Sequence, residues 1–572
     1  MLNETKTEFT EEERKVLGEY VTNTAGNIFA WKLGEKLDSE SSGALLSRYS
    51  RSAMTSREIF LKEFLPNRSK GREFFNAWLI DYGDDSIQEM AGGIPVSTEY
   101  ISNVAAKELE DSRLASYIEK SSRYVQFDKQ IPGFGYPFYK GSDITESRLG
   151  TEYLELMQSL FDSYSRSIPV MADYIKKENP LEKQKFQIGR EIVSGSEAIK
   201  HADSLGLSAE DLQKAYERSI KASALDIMRD YLPMSTLTHV GVSANARSYE
   251  HMILKLMASS LKESNGIGKG INDELKKIAP SLIRRVEEEH GRESIKYMQT
   301  CEYETRMAVS KAIASMNRDG SKPITIKPGQ KTDSSTISLT NYTGKEYFKP
   351  DMEAVAVLVG TIIYVRESSL SLSESIKTAR ALPESDANAI IGAYVGERKN
   401  RRQRPGRAFE NISYTFDMKG TVGAYRDLQR HRMITQERKL FNTEHGYVLR
   451  EQYKAIGISE DYSEKMGRAA DLHKKMSKEL SPEQAQYAVT FGYNARWYIN
   501  TNARELFHIA ELRTTPAGHP DYREMVQTVH KLVRDVHPSM AKQMNFVNMD
   551  DTKLGRLSSE IRIAVKSSKL KG

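Results

Sequence analysis

The 572-residue sequence holds a single cysteine, Cys301, which excludes an intrachain disulfide framework and every cysteine-rich metal site. No stretch approaches 18 consecutive apolar residues, so no segment reads as a membrane-spanning helix. The opening MLNETKTEFTEEERK is acidic and polar and lacks the apolar core of a secretory signal. Charge of one sign is scarce too: 83 basic and 78 acidic side chains leave a net charge of +5. The one dense block is Glu397 to Arg407 (ERKNRRQRPGR), which either meets phosphates or is a solvated loop. These absences fit a cytoplasmic protein with no membrane partner, and they give little ground for a nucleic-acid partner. What is present, 39% hydrophobic and 28% charged residues, describes a globular chain long enough for two cores.

Helical periodicity dominates. Asp203–Leu232, His251–Leu261, Ile271–Glu289 and Ala469–Leu480 carry apolar residues three and four apart, and Ser481-Pro482-Glu483 opens another helix with a cap and a proline at its first position. Strand patterns are fewer: Gly92–Val96, Ile324–Ile326, Ser335–Leu339 and Asn411–Phe416. Between Gly329 and Pro350 no helix is expected, and a boundary between halves falls near residue 320. One internal echo is visible. Asn245-Ala246-Arg247 with His251 recurs as Asn502-Ala503-Arg504 with His508, 257 residues later. Each copy reads as part of an amphipathic helix, and a third N-A-R, Asn494-Ala495-Arg496, reads as a helix repeat. Duplication and chance both explain the echo.

Two local clusters carry chemistry. In Arg430-His431-Arg432 two cations flank an imidazole and lower its tendency to protonate. Such a cluster holds phosphates or an electron-rich ring, or it is a solvated helix face. In Glu119-Lys120-Ser121-Ser122-Arg123-Tyr124 a carboxylate, a hydroxyl, a guanidinium and a phenol fall within six residues. They suit a nucleotide, but composition favours an ordinary helix end passing into a strand. The other histidines show no paired spacing with carboxylates that suggests a metal, and none is expected.

Taken in order, these pieces resemble the flavin-dependent thymidylate synthases, whose signature begins R-H-R and ends E-x-S-x-R-Y. In the second half Glu410 stands 20 residues before Arg430, as the family's glutamate segment does, and Asn502-Ala503-Arg504-Glu505-Leu506 leads through His508 to Leu512-Arg513. In the first half Tyr82 to Glu89 resembles the family's Y-G-H-x-S-x-x-E opening, with Asp84 in place of the histidine, and Glu119 to Tyr124 matches E-x-S-x-R-Y. Arg229 and the Asn245 segment follow. The losses are complementary. The first copy has Asp111-Ser112-Arg113 where R-H-R belongs. The second has Leu440, Asn442 and Thr443 where Ser, Arg and Tyr belong, and Gln486 opposite Arg229.

The resemblance implies an α+β protein made of two fused copies of this fold, each a mostly antiparallel sheet packed with helices, helix-rich overall. The repeats would span 1–320, with a helical insertion near 130–200, and 321–572. It also implies an enzyme converting dUMP to dTMP, with FAD and NADPH as cofactors and methylene-tetrahydrofolate as carbon donor. The nucleotide would be bound by Glu119, Ser121, Arg123, Arg229 and Arg513. Ser121 and Arg513 would be catalytic, while Arg430, His431, Arg432, Asn502 and His508 would hold the flavin. Two fused repeats mimic a dimer, so a homodimer of chains is expected. Asp427, where the family has Gln, leaves open a relative acting on another uracil-containing substrate, or a non-catalytic scaffold.

Overall fold

Two four-stranded antiparallel sheets carry the architecture, and their strand orders match. The computed structural model describes residues 8–66, 93–188, 191–277, 286–315 and 335–571, apart from the single positions 33, 35, 38, 368 and 553. The first sheet contains β1 (Ile28–Ala30), β2 (Ile94–Ser102), β3 (Ala115–Glu119) and β6 (Leu237–Ala244), in the order β1-β2-β6-β3. The second contains β7 (Thr336–Tyr342), β8 (Ser413–Thr421), β9 (Thr435–Arg438) and β10 (Asn494–Asn502), in the order β7-β8-β10-β9. A separate hairpin of β4 (Lys185–Ile188) and β5 (Glu191–Ser194) follows the helix Gly150–Glu178 in sequence and packs on the short helix Gly195–Lys200, so the 130–200 region is not helical throughout. The expected class, α+β with two copies of one fold, holds. The expected opening Tyr82–Glu89, the expected strand at Ile324–Ile326 and the expected boundary near 320 lie outside the described residues. Among the described residues no helix is long and apolar enough to cross a membrane.

The copies agree in detail. The last residue of β2, Ser102, caps the seven-residue helix Asn103–Leu109 by accepting from the Ala105 N–H; Thr421, the last residue of β8, caps the seven-residue helix Val422–Leu428 through Ala424. Each capping hydroxyl also donates to a carboxylate from a later helix, Ser102 to Glu263 at 2.6 Å and Thr421 to Asp521 at 3.1 Å. β6 runs into Asn245, which caps Ala246–Ala258, and β10 into Asn502, which caps Ala503–Arg513. The repeated asparagines are thus strand-to-helix junctions and not helix-interior residues. Each side-chain oxygen takes an orphan N–H of the first turn. Asn494, read from the sequence as part of a helix repeat, begins β10.

By contacts the chain forms two compact units, one of residues 1–330, 442–491 and 561–572, the other of 331–441 and 492–560. In the first, β6 is buried at all eight positions. Val240, Val242 and Ala244 face a core with Ile253, Ile267 and Ile271 from the following two helices, and Gly241 lies against Leu46. β2 carries a bulge between Thr98 and Ile101, where Tyr100 takes φ 57° and its N–H donates to His239 Nδ1 at 3.0 Å. Glu99 beside it is fully buried in a pair with Arg57 at 3.2 Å. Within the same unit, the helix Ser459–Glu479 packs on Gly150–Glu178, and Asp461 accepts from Ser163 at 3.2 Å and Tyr231 at 2.9 Å. Residues 489–491 then pair with 232–234. The Met234 N–H donates to the Val489 carbonyl at 2.7 Å and the Phe491 N–H to Leu232 at 2.9 Å. Val489 and Phe491 stand 257 positions after Leu232 and Met234, the spacing of the capping asparagines, so this contact is locally two-fold.

In the second unit, β10 alternates buried and exposed residues from Ala495 to Thr501, and Trp497 and Ile499 face the helices Ala503–Arg513 and Pro520–Val536. The basic run Glu397–Arg407 is organised here. Arg398 is buried in a bidentate pair with Glu511, at 2.7 and 2.5 Å, and its guanidinium lies over Phe507 and Phe546.

Candidate active site

The capped helix Val422–Leu428 ends at Arg430-His431-Arg432 and turns His431 inward while Arg430 stays exposed and Arg432 half-buried. Arg513, in the last turn of Ala503–Arg513, donates from Nε to His431 Nε2 at 2.8 Å. Because guanidinium nitrogens only donate, Nε2 carries the lone pair and the ring proton sits on Nδ1. That proton faces Glu505 Oε1 at 3.3 Å. His508, one turn beyond Glu505, has its ring centroid 5.4 Å from that of His431, and its Nδ1 takes a hydrogen bond from Arg404 at 3.4 Å. Arg504 donates to the Pro405 carbonyl at 2.9 Å and to Glu410 at 3.1 Å, tying the basic loop to this helix.

Burial and charge set the protonation states. His431 is held well below the usual imidazole range, first by burial and then by Arg513 and Arg404. His508 is pushed down to about 3, chiefly by burial and then by His431. Burial raises Glu505, against the pull of His508 and Arg404. His431, Glu505 and His508 place ligand-capable atoms within 4.8 Å of one another, the one such trio among the described residues. A cation is poorly matched to it: Arg513 occupies one His431 lone pair, the other nitrogen holds a proton, and Arg404 sits beside His508. A hydrogen-bond chain fits better. Behind His431 lies an apolar pocket lined by Met418, Leu428, Ile434, Trp497 and Ile499.

The other predicted set lies in the first unit. Glu119 ends β3 and is buried, accepting from Lys107 Nζ at 3.1 Å, while Lys107 also pairs with Glu110. Past the strand, the Lys120 N–H donates to the His239 carbonyl at 2.9 Å and the Ser121 N–H to Ser50 at 2.8 Å. Lys120 is itself buried, its ammonium pushed down to about 8 by desolvation. Ser121 and Arg123 are half-buried, and Arg123 Nε meets Asp226 Oδ1 at 3.2 Å. Asp226 lies in the last turn of the helix Ala209–Met228, which leads directly into the buried Arg229.

The structure therefore gathers His431, His508 and Arg513 in one cluster; in the first unit it brings Arg123 to the helix end that precedes Arg229, while Glu119 turns to Lys107. Asn502 spends its side-chain oxygen on its own helix. Sequence reasoning missed Glu505 and Arg404. The first occupies the variable position of N-A-R-x-L; the second belonged to a basic run that composition alone could not place.

With this geometry in hand, comparison with known proteins gives a family. Residues 33–281 and 341–539 match the family described as thymidylate synthase complementing protein, one match in each repeat. "UPF0159" proteins of Chlamydia pneumoniae and Chlamydia muridarum are each 32% identical over 97% of this chain and 98% of theirs. One from Thermoplasma acidophilum is 33% identical over 92% of this chain and 99% of its own. The chain belongs to the thymidylate synthase complementing protein family, as a tandem duplicate. Among solved structures, a UMP/dUMP methylase, PolB, from Streptomyces cacaoi bound with 5-Br dUMP is 14% identical, covering 38% of this chain and 96% of its own, with a TM-score of 0.30.

Proposed function

We propose that the protein is a flavin-dependent thymidylate synthase that methylates dUMP to dTMP, with methylene-tetrahydrofolate as carbon donor and NADPH-reduced FAD as hydride source. The observation that carries this reading is the division of the family signature. The R-H-R cluster with its arginine partner is complete only in the second repeat, and E-x-S-x-R with Arg229 is complete only in the first. Counted over both repeats, the signature is retained once.

The second cluster's donor set fits a flavin dinucleotide. Arg430, Arg432 and Arg404 would supply cations for its phosphates, and an apolar pocket adjoins His431. When bound, the reduced flavin supplies the hydride that completes the methyl group. Arg513 would donate to a pyrimidine carbonyl as charge develops on the ring. Arg123 and Arg229, both at the Asp226 helix end, would hold the nucleotide phosphate together with the Ser121 hydroxyl. No thiol nucleophile is required, and Cys301 lies on the helix Glu289–Ser315, outside every motif. Two chains would assemble into a homodimer.

The absorption spectrum of the purified protein, followed by dUMP titration, tests this. A flavin band perturbed by dUMP is expected, and a colourless protein that takes up no added FAD would leave a scaffold. A second reading draws on Asp427, buried at the end of Val422–Leu428 where the family has Gln. A flavoprotein indifferent to dUMP but responsive to another uracil nucleotide would favour it.

A further inference from the structure

We propose that Glu505 is a positioning residue that fixes Arg513 through His431. The direction of the chain is set by chemistry. Arg513 Nε can only donate, so His431 Nε2 accepts at 2.8 Å; the neutral ring must then carry its proton on Nδ1, and Glu505 receives it at 3.3 Å. Carboxylate, imidazole and guanidinium thus form one line, and the carboxylate selects the tautomer that lets the guanidinium dock. Glu505 stands at the third position after the capping Asn502, where a glutamate ordinarily reaches back to the cap's own N–H. Here only the forward half of that exchange forms, and the carboxylate turns to His431 instead.

The first repeat is an internal control. With the cap residues Ser102 and Thr421, and then Asn245 and Asn502, superposed by position, Glu505 corresponds to Ser248, His431 to Ser112 and Arg513 to Leu256. All three members are absent together, although the capping asparagine and the following histidine, His251, are kept. Ser248 has instead turned its hydroxyl to Asn245 at 3.0 Å. Where the guanidinium is not needed, neither is the pair behind it.

The kinetic part of this inference rests on the thymidylate synthase reading; the tautomer does not. The full-length protein labelled with ¹⁵N-histidine, its His431 signal assigned by His431→Gln, gives the tautomer from long-range ¹H–¹⁵N correlations. The wild type is expected to show His431 neutral and protonated on Nδ1. Glu505→Gln, which still offers an acceptor, should keep that form, and Glu505→Ala should lose the single tautomer. In dUMP turnover Glu505→Ala should lower kcat by about 10- to 100-fold with little change in KM for dUMP, and Glu505→Gln should recover most of it. A wild-type ring protonated on Nε2, or Glu505→Ala with an unchanged spectrum and full turnover, would overturn the proposal. A wild type inert toward dUMP whose tautomer nevertheless answers to Glu505→Ala sinks the proposed function and leaves the relay standing.

Discussion

The two repeats share strand order, capped helices and carboxylate clamps, yet they have spent their buried positions differently. In the first sheet the centre is polar: Glu99 and Arg57 form a fully buried pair, and His239 and Lys120 stand behind the turn that carries Ser121 and Arg123. In the second sheet Met418 and Trp497 occupy the corresponding strands and the polar chemistry has moved to the helix ends, at His431, Glu505 and Arg513. A fold preserved by shared caps, clamps and sheet register leaves the remaining side chains free to specialise.

The comparison can be broken most severely by giving the second repeat the residue of the first. Arg513→Leu, which installs the counterpart of Leu256, should lower dUMP turnover by roughly 10²- to 10³-fold while the protein stays folded by circular dichroism. In the first repeat, Glu99→Ala strands the Arg57 charge in the core and should cost about 3–5 kcal/mol in urea unfolding. Met418→Ala, a cavity in the apolar equivalent, should cost about 2–5 kcal/mol without any salt or pH dependence.

The clamps sharpen the contrast further. Burial raises Glu263 from 4.5 to about 7, against the hydrogen bonds from Ser102 and Tyr487. The folded state therefore holds a proton that the unfolded state has released, so stability is greatest below about pH 4.5 for this group and falls as pH rises to about 7. The span corresponds to about 3 kcal/mol. Glu263→Gln should flatten that part of the pH–stability curve, as read from unfolding midpoints at pH 5 and pH 8. The smallest effect belongs to the caps: Ser102→Ala and Thr421→Val should each cost about 1 kcal/mol, Ser102→Ala the more because Glu263 is buried where Asp521 is partly exposed.

Some of this was legible in the sequence. Motif order placed the duplication, β7 and β8 appeared as alternating runs, and Ser481-Pro482 did start a helix. β6 was invisible because burial on both faces erases alternation in LTHVGVSA. β10 was obscured by its own polar outer face, with Arg496, Tyr498 and Asn500 exposed between buried neighbours. Arg398 reads as one charge in a basic loop, and its partner Glu511 lies 113 residues away, beyond any local pattern. Nor does chain order reveal that 442–491 packs in the first unit.

The pairing of 232–234 with 489–491 has a further consequence. A two-fold contact between separate chains obeys mass action and must be self-complementary, whereas this one is closed by a single covalent chain. Its formation is first order and insensitive to dilution, and its two sides answer to separate codons. Pro233 can therefore face Thr490 across the axis, a mismatch that no symmetric homodimer could carry.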